Sequence, residues 1–189
     1  MRLLLCLLLL LTPVLAQEAD KAQHDALRAV KDQAVAAVNK ADFEALKGLM
    51  DDRIAFTAMN AEVCHGPKEV QAYFDRMLKG PDPVVKSMQI TSVEVDRLTD
   101  LYNGTTGVAT GTCTGQYSLK GGMQFTITNR WSSTLVKEGT SWKIASLHFS
   151  SNVFDNAVLD LTKRTNYAIM GVLGVLIVVA FIVGRWSKR

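Results

Sequence analysis

The stretch Arg130-Trp-Ser-Ser-Thr-Leu-Val-Lys-Glu-Gly139-Thr-Ser-Trp142-Lys-Ile-Ala-Ser-Leu-His148-Phe-Ser150 decides the fold. Two runs rich in β-branched and aromatic residues flank Glu138-Gly139-Thr140, the composition of a hairpin. Centring the turn on Gly139 pairs Arg130 with His148, Ser132 with Ser146 and Thr128 with Ser150. Cross-strand partners share a face. One face then carries Val136, Trp142 and Ile144 near the turn, with Thr128, Arg130, His148 and Ser150 farther along. The opposite face carries Phe125, Ile127, Trp131, Leu135, Leu147 and Phe149. A sheet apolar on both faces needs two covers. Helices supply one, and a second copy across a two-fold axis is expected to supply the other.

Upstream, the same pattern extends into a meander. Residues 86–100, 105–119 and 123–137 read as strands, separated by Asn103-Gly104 and Gly121-Gly122. Asn-Gly is a strong two-residue hairpin signal. Asn103-Gly104-Thr105 is also a glycosylation sequon, which matters only in a eukaryotic secretory pathway. Gly107, Gly111 and Gly115 fall on one face of a single strand, where they permit a sharp bend.

The first third is helical. Leu27, Val30, Ala34, Val38 and Ala41 form one stripe. Asp42 reads as the N-cap of a short helix bearing Phe43, Leu46, Leu49 and Met50. A strand, Ile54 to Met59, turns at Asn60-Ala61 into Glu62-Val63-Cys64. Gly66-Pro67 then opens a third helix with the stripe Val70, Tyr73, Phe74, Met77 and Leu78, ended by Gly80-Pro81. The fold class expected is α+β: three N-terminal helices packed in a strongly curved, cone-shaped antiparallel sheet.

Both chain ends are apolar. Residues 1–16 join Arg2, a Leu-rich run and Ala16, the parts of a secretory signal peptide. Residues 17–155 form the folded domain and 156–166 a juxtamembrane linker. Residues 167–184 are expected to cross a bilayer, since the uncharged run Thr165 to Gly184 reaches roughly 30 Å as a helix. Arg185, Lys188 and Arg189 make residues 185–189 a basic tail, placed in the cytoplasm by the positive-inside tendency. The expected product is a single-pass membrane protein with its domain in the periplasm or extracellular space.

Charge follows from this topology. Four of the 21 Lys and Arg residues (Arg2, Arg185, Lys188, Arg189) lie in the end segments, leaving 17 against 18 acids in the exported part. No basic cluster with interleaved aromatics occurs there, so nucleic acid is not an expected partner. Cys64 and Cys113 allow one disulfide in an oxidising space. Their spacing from the histidines has no paired-ligand pattern, so neither metal nor cofactor is expected. No Gly-x-Ser-x-Gly elbow or phosphate loop occurs.

The segment from Arg130 to Ser150 resembles the end of SnoaL-like domains, in the ketosteroid isomerase-like or nuclear transport factor-like superfamily. Those show Arg-x-Thr, a turn, then Trp-[Lys/Arg]-Ile and His-x-His-x-Ser. Ala37-Val-Asn-Lys-Ala-Asp42-Phe-Glu-Ala-Leu46, with Asp51-Asp52 and Gly66, resembles their first two helices and the entry to the third. The resemblance covers roughly residues 22 to 153. It implies a cystatin-like cone with a pocket at its open end, walled by Arg130, His148 and Ser150 and opposed by Tyr73 and Met77. It also implies a homodimer through the convex face, using Trp131, Leu147 and Phe149. Ser146 stands where the family's first histidine would be, so a paired-imidazole site is not expected.

Three functions fit these residues. The first is binding of a small apolar or anionic ligand, with Tyr73, Met77, Arg130, His148 and Ser150 as its contacts. The second is a lyase, isomerase or cyclase using His148 as base. The third is an assembly module whose dimerisation is the function.

Overall fold

The computed structural model describes residues 2–186, with side chains from residue 20 onward. Met1 and residues 187–189 lie outside the described residues, and with them most of the basic tail. Two compact units divide the chain, residues 1–151 and 152–189.

In the first unit, α1 (Arg2–Asn39) leads into α2 (Phe43–Lys47), β1 (Met50–Thr57), β2 (Val63–His65) and α3 (Gly66–Phe74). A π-helical turn, Asp75–Lys79, prolongs α3. The strands β3 (Val85–Val95), β4 (Asp100–Tyr102), β5 (Thr106–Leu119), β6 (Gln124–Glu138) and β7 (Ser141–Ser150) follow.

Local chemistry explains the helix boundaries. Asp42 caps α2, its Oδ1 accepting from Ala45 N at 3.0 Å. Pro67 sits in the first turn of α3, where a missing N–H costs nothing. Leu27 and Val30 are buried in α1, as are Val70 and Phe74 in α3, so both stripes face the core. At Asn103-Gly104 both residues take positive φ, 53° and 66°, the geometry of a tight two-residue turn.

The sheet runs β2-β1-β7-β6-β5-β3, with β4 also paired to β5. It is mixed and not wholly antiparallel, because β1 runs parallel to β7. That pairing brings the first strand back against the last and curls the sheet around α1 and α3.

The last hairpin differs from its expected register. Arg130 pairs with Ser150 and Ser132 with His148. Thr134 faces Ser146 and Leu135 faces Ile144, so Ala145 has no partner and forms a β-bulge. The bulge has a clear cause. Trp142 and Ile144 occupy even positions while Leu147 and Phe149 occupy odd ones. Strict alternation would expose one pair, whereas one extra residue turns all four inward. Trp142 and Ile144 are buried accordingly. Ser133 Oγ donates to the Ser146 carbonyl at 2.8 Å, providing a partner for a backbone group beside the irregularity.

Trp142 and Ile144 face inward as expected, while along β6 and beyond the bulge in β7 the expected faces are reversed. Trp131, Leu147 and Phe149 point into the hollow and are unavailable as the convex dimer surface. The outer face carries Thr112, Thr114, Thr128, Arg130, Ser132 and His148 instead, in cross-strand register.

Gly111 explains how the sheet bends so tightly. A Cβ there would lie 1.9 Å from Glu94 O and 2.7 Å from the Trp131 ring. Only glycine lets β3 approach while the indole lies across β5, its Nε1 donating to Thr112 O at 3.0 Å.

Cys64 and Cys113 are buried free thiols. The disulfide allowed by the sequence does not form, because Cys64 packs in the main core while Cys113 packs beside Ala109 and Trp131.

The second unit holds α4 (Ala157–Trp186), a helix long and apolar enough to cross a membrane. It starts earlier than the sequence suggested, taking in most of residues 156–166. Asn156 explains the start, its Oδ1 accepting from Leu159 N at 3.0 Å.

Candidate functional site

The hollow of the curled sheet is open space. It holds a cavity of about 700 Å³, within the ~300–1,000 Å³ typical of small-molecule sites. Leu27, Val30, Ala34 and Val38 of α1 form one wall. Val70, Tyr73, Phe74 and Met77, from α3 and the turn after it, form another. The sheet contributes Ile54 and Phe56, Met88, Ile90 and Val93, Ala109, Cys113 and Tyr117, Trp131 and Leu135, and Leu147 and Phe149. Each strand supplies alternate residues, as an inward sheet face must, with β3 changing parity between Ile90 and Val93, where its register with β5 shifts.

Aromatic contacts stiffen the walls. Phe56 meets Tyr73 edge-on at 5.7 Å and Phe149 at 6.4 Å, while Tyr117 stacks on Phe125 at 5.4 Å. Asn39, at the end of α1, accepts from Ile90 N at 2.7 Å and donates to Ile90 O at 2.9 Å. This two-bond clamp holds the end of α1 against β3.

The polar groups in the wall are few and mostly neutral. Burial pushes the Tyr117 hydroxyl up to about 12, with the nearby Cys113 and Tyr73 adding to it. Burial likewise raises Tyr73, with help from Glu62, and raises the Cys113 thiol. Both phenols therefore serve as neutral hydrogen-bond donors. Tyr73 Oη lies 3.4 Å from Asn60 Oδ1, and Glu62 pairs with Arg76 at 2.5 Å just outside. Among the described residues no Asp or Glu lines the cavity. No group of three His, Cys, Asp or Glu side chains among them could hold a metal.

Of the five expected ligand contacts, Tyr73 and Met77 line the cavity. Arg130, His148 and Ser150 do not, and all three are exposed on the outer face. Arg130 instead holds Asp96 through both terminal nitrogens, and Thr110 Oγ1 adds a third bond to that carboxylate at 2.8 Å. The Arg130 guanidinium first, and then Thr110, hold Asp96 down at about 2. His148 is thus removed as a base for chemistry in the cavity.

Sequence reasoning missed Ala109, Cys113 and Tyr117. The signal was available, because these residues share a parity in β5 with the glycines already singled out for the bend. Small residues beneath a curved strand mark its concave side.

The family model described as a SnoaL-like domain matches residues 27–154. No curated protein matches the chain. Hexachlorocyclohexane dehydrochlorinase LinA-type3 from Novosphingobium barchaimii LL02 superposes with a TM-score of 0.63 at 15% identity, over 74% of this chain and 93% of that one. A ketosteroid isomerase-like protein from Erwinia carotovora atroseptica gives 0.58 at 17% identity, over 67% and 94%. An uncharacterized protein with a cystatin-like fold from Caulobacter vibrioides gives 0.55 at 14% identity, over 68% and 88%. At such identities these structures establish a common fold and nothing more specific. The family match takes in α1 from Leu27 onward, every strand and all of the cavity wall but His24, and the chain belongs to the SnoaL-like domain family.

Proposed function

We propose that this protein is a membrane-anchored binding domain that holds a small apolar molecule inside its cone. The observation that carries this reading is the cavity wall, which is open in volume, almost wholly apolar and free of carboxylates among the described residues. Burying a ligand's apolar surface there contributes about 25 cal/mol per Å². The phenols of Tyr73 and Tyr117 supply orientation without charge.

The dehydrochlorinase and the ketosteroid isomerase-like protein make catalysis the natural competitor. A lyase or isomerase removes a proton, which requires a base within hydrogen-bond reach of the substrate. Apart from His24, at the α1 end of the cavity with its Nε2 3.9 Å from Asp20, the cavity interior offers phenols and a thiol whose protons are all held more tightly than usual. Binding is therefore the better-supported reading.

Residues 1–16 and α4 support an exported domain held at the membrane by its C-terminal helix, with the cone outside the cytoplasm. Native mass spectrometry of the full chain released from detergent, with 1-dodecanol as probe, tests the binding. One molecule per chain is expected, and Ala34→Phe, which puts a ring into the cavity from the helix side, is expected to lower the uptake. Equal uptake by Ala34→Phe would overturn the reading.

A further inference from the structure

The charged side chains that line the cavity are all basic. Arg28 and Lys31 come from α1 and Arg97 from the turn between β3 and β4, with His24 one helical turn before Arg28. Residues 24, 28 and 31 fall on one helix face by their spacing. The turn meets that face, because a Cβ on Gly107 would touch Thr99 at 2.9 Å and Leu27 at 3.8 Å. The three cations therefore gather at one end of the hollow. The Tyr73, Tyr117 and Phe125 part of the wall carries no charge.

Each cation has an acidic neighbour, but none of those acids faces the cavity. Lys31 meets Asp32 at 3.1 Å and Arg97 meets Asp100 at 2.6 Å, and Arg28 pairs with Asp25. All three are pairs between near neighbours in sequence, with at least one partner half or more in solvent, an arrangement that binds weakly and exchanges readily. Lys31 is the most enclosed of the cations, its side chain 31% exposed against 75% for Arg97. Long basic side chains of this kind lay apolar stems along a greasy wall and keep their heads at the water boundary. An apolar hollow with a cationic collar is complementary to a molecule having one hydrocarbon chain and one negative head.

We infer that the cavity takes an amphiphile of the long-chain carboxylate class, its chain among the inward aromatics and its head at Arg28, Lys31 and Arg97. The inference rests on the apolar-binding reading and adds the head group to it. Chain burial supplies most of the affinity, and the collar supplies the preference for an anion over a neutral head.

Photo-crosslinking of the detergent-solubilised full chain tests it. Two probes share a chain length and a terminal diazirine, one ending in a carboxylate and the other in an alcohol. Peptide mapping then locates the labelled residues. The carboxylate is expected to label the inner sheet face at about ten-fold lower concentration than the alcohol. The triple variant Arg28→Gln, Lys31→Gln, Arg97→Gln is expected to bring the carboxylate to the alcohol's half-saturation and leave the alcohol unchanged. Equal half-saturation of the two probes in the native chain overturns the head-group assignment while leaving apolar binding intact. Labelling of the native chain by both probes that avoids the inner sheet face overturns the underlying reading as well. A melting curve for each variant separates lost binding from lost folding.

Discussion

Gly111 has no freedom to become anything else. Alanine there meets a backbone oxygen at 1.9 Å and an indole ring at 2.7 Å, and neither is a flexible side-chain end. Gly111→Ala is expected to cost about 2–4 kcal/mol, as overpacking against rigid backbone does. Gly121, with nothing within 4 Å of a new Cβ, serves as the control, and Gly121→Ala should stay within about 0.5 kcal/mol. Chemical denaturation of the two variants checks both numbers. Tyr117 makes a separate prediction. Its native value of about 12 lies above the ordinary value near 10. Above pH ~10 the unfolded chain releases this proton and the native one retains it, so stability is full below that point and falls between about 10 and 12. Tyr117→Phe should flatten the melting temperature over that window. A slope unchanged by the substitution would show that the phenol is not buried as described.

Among the elements, α1, α3 and the meander were legible because their signals are local. Val70, Phe74 and Met77 keep helical spacing, Asn103-Gly104 is nearly unambiguous, and Asp42 announces a cap. The hairpin at Gly139 was legible in outline and wrong in orientation. Its bulge at Ala145 keeps the apolar residues on both sides of the parity change facing inward while β7 closes against β1, a parallel contact between residues about ninety positions apart. No two-residue alternation within the hairpin reveals such a constraint. The parity conflict between Ile144 and Leu147 is its only local trace, and without a bulge that conflict reads as two apolar faces. Such a register sets Arg130 and His148 on the face of Trp142, which the family resemblance turns toward the pocket, and leaves Trp131 on the face it turns toward a dimer. Removing the bulge tests its importance. Deleting Ala145 forces either Trp142 and Ile144 or Leu147 and Phe149 out of the core, and is expected to abolish cooperative unfolding. Ala145→Ser keeps the residue count and should cost under about 1 kcal/mol. Circular dichroism melts of the two variants distinguish them, and a deletion that melts like the parent would refute the parity explanation.

For the whole molecule, the proposed arrangement places a soluble cone on one side of a bilayer and a short basic tail on the other. Protease added to sealed cells or spheroplasts should then digest residues 17–155 and spare a fragment containing α4. Alkaline carbonate washing should leave the intact chain with the membrane, while a chain ending at residue 156 should wash free. Digestion only after the membrane is ruptured would place the cone on the cytoplasmic side. The buried, free Cys64 and Cys113 are compatible with export, since burial raises both thiols and shields them from oxidants.

The indole of Trp131 forms part of the cavity wall and is fixed there by its bond to Thr112. Trp142, by contrast, is packed in the main core, and Trp186 ends the apolar helix. Three tryptophans in three different surroundings give the chain a built-in optical gauge, of which only one part borders the hollow. Emission from Trp131 should shift as an occupant displaces solvent, so filling of the cone can be followed without attaching a dye.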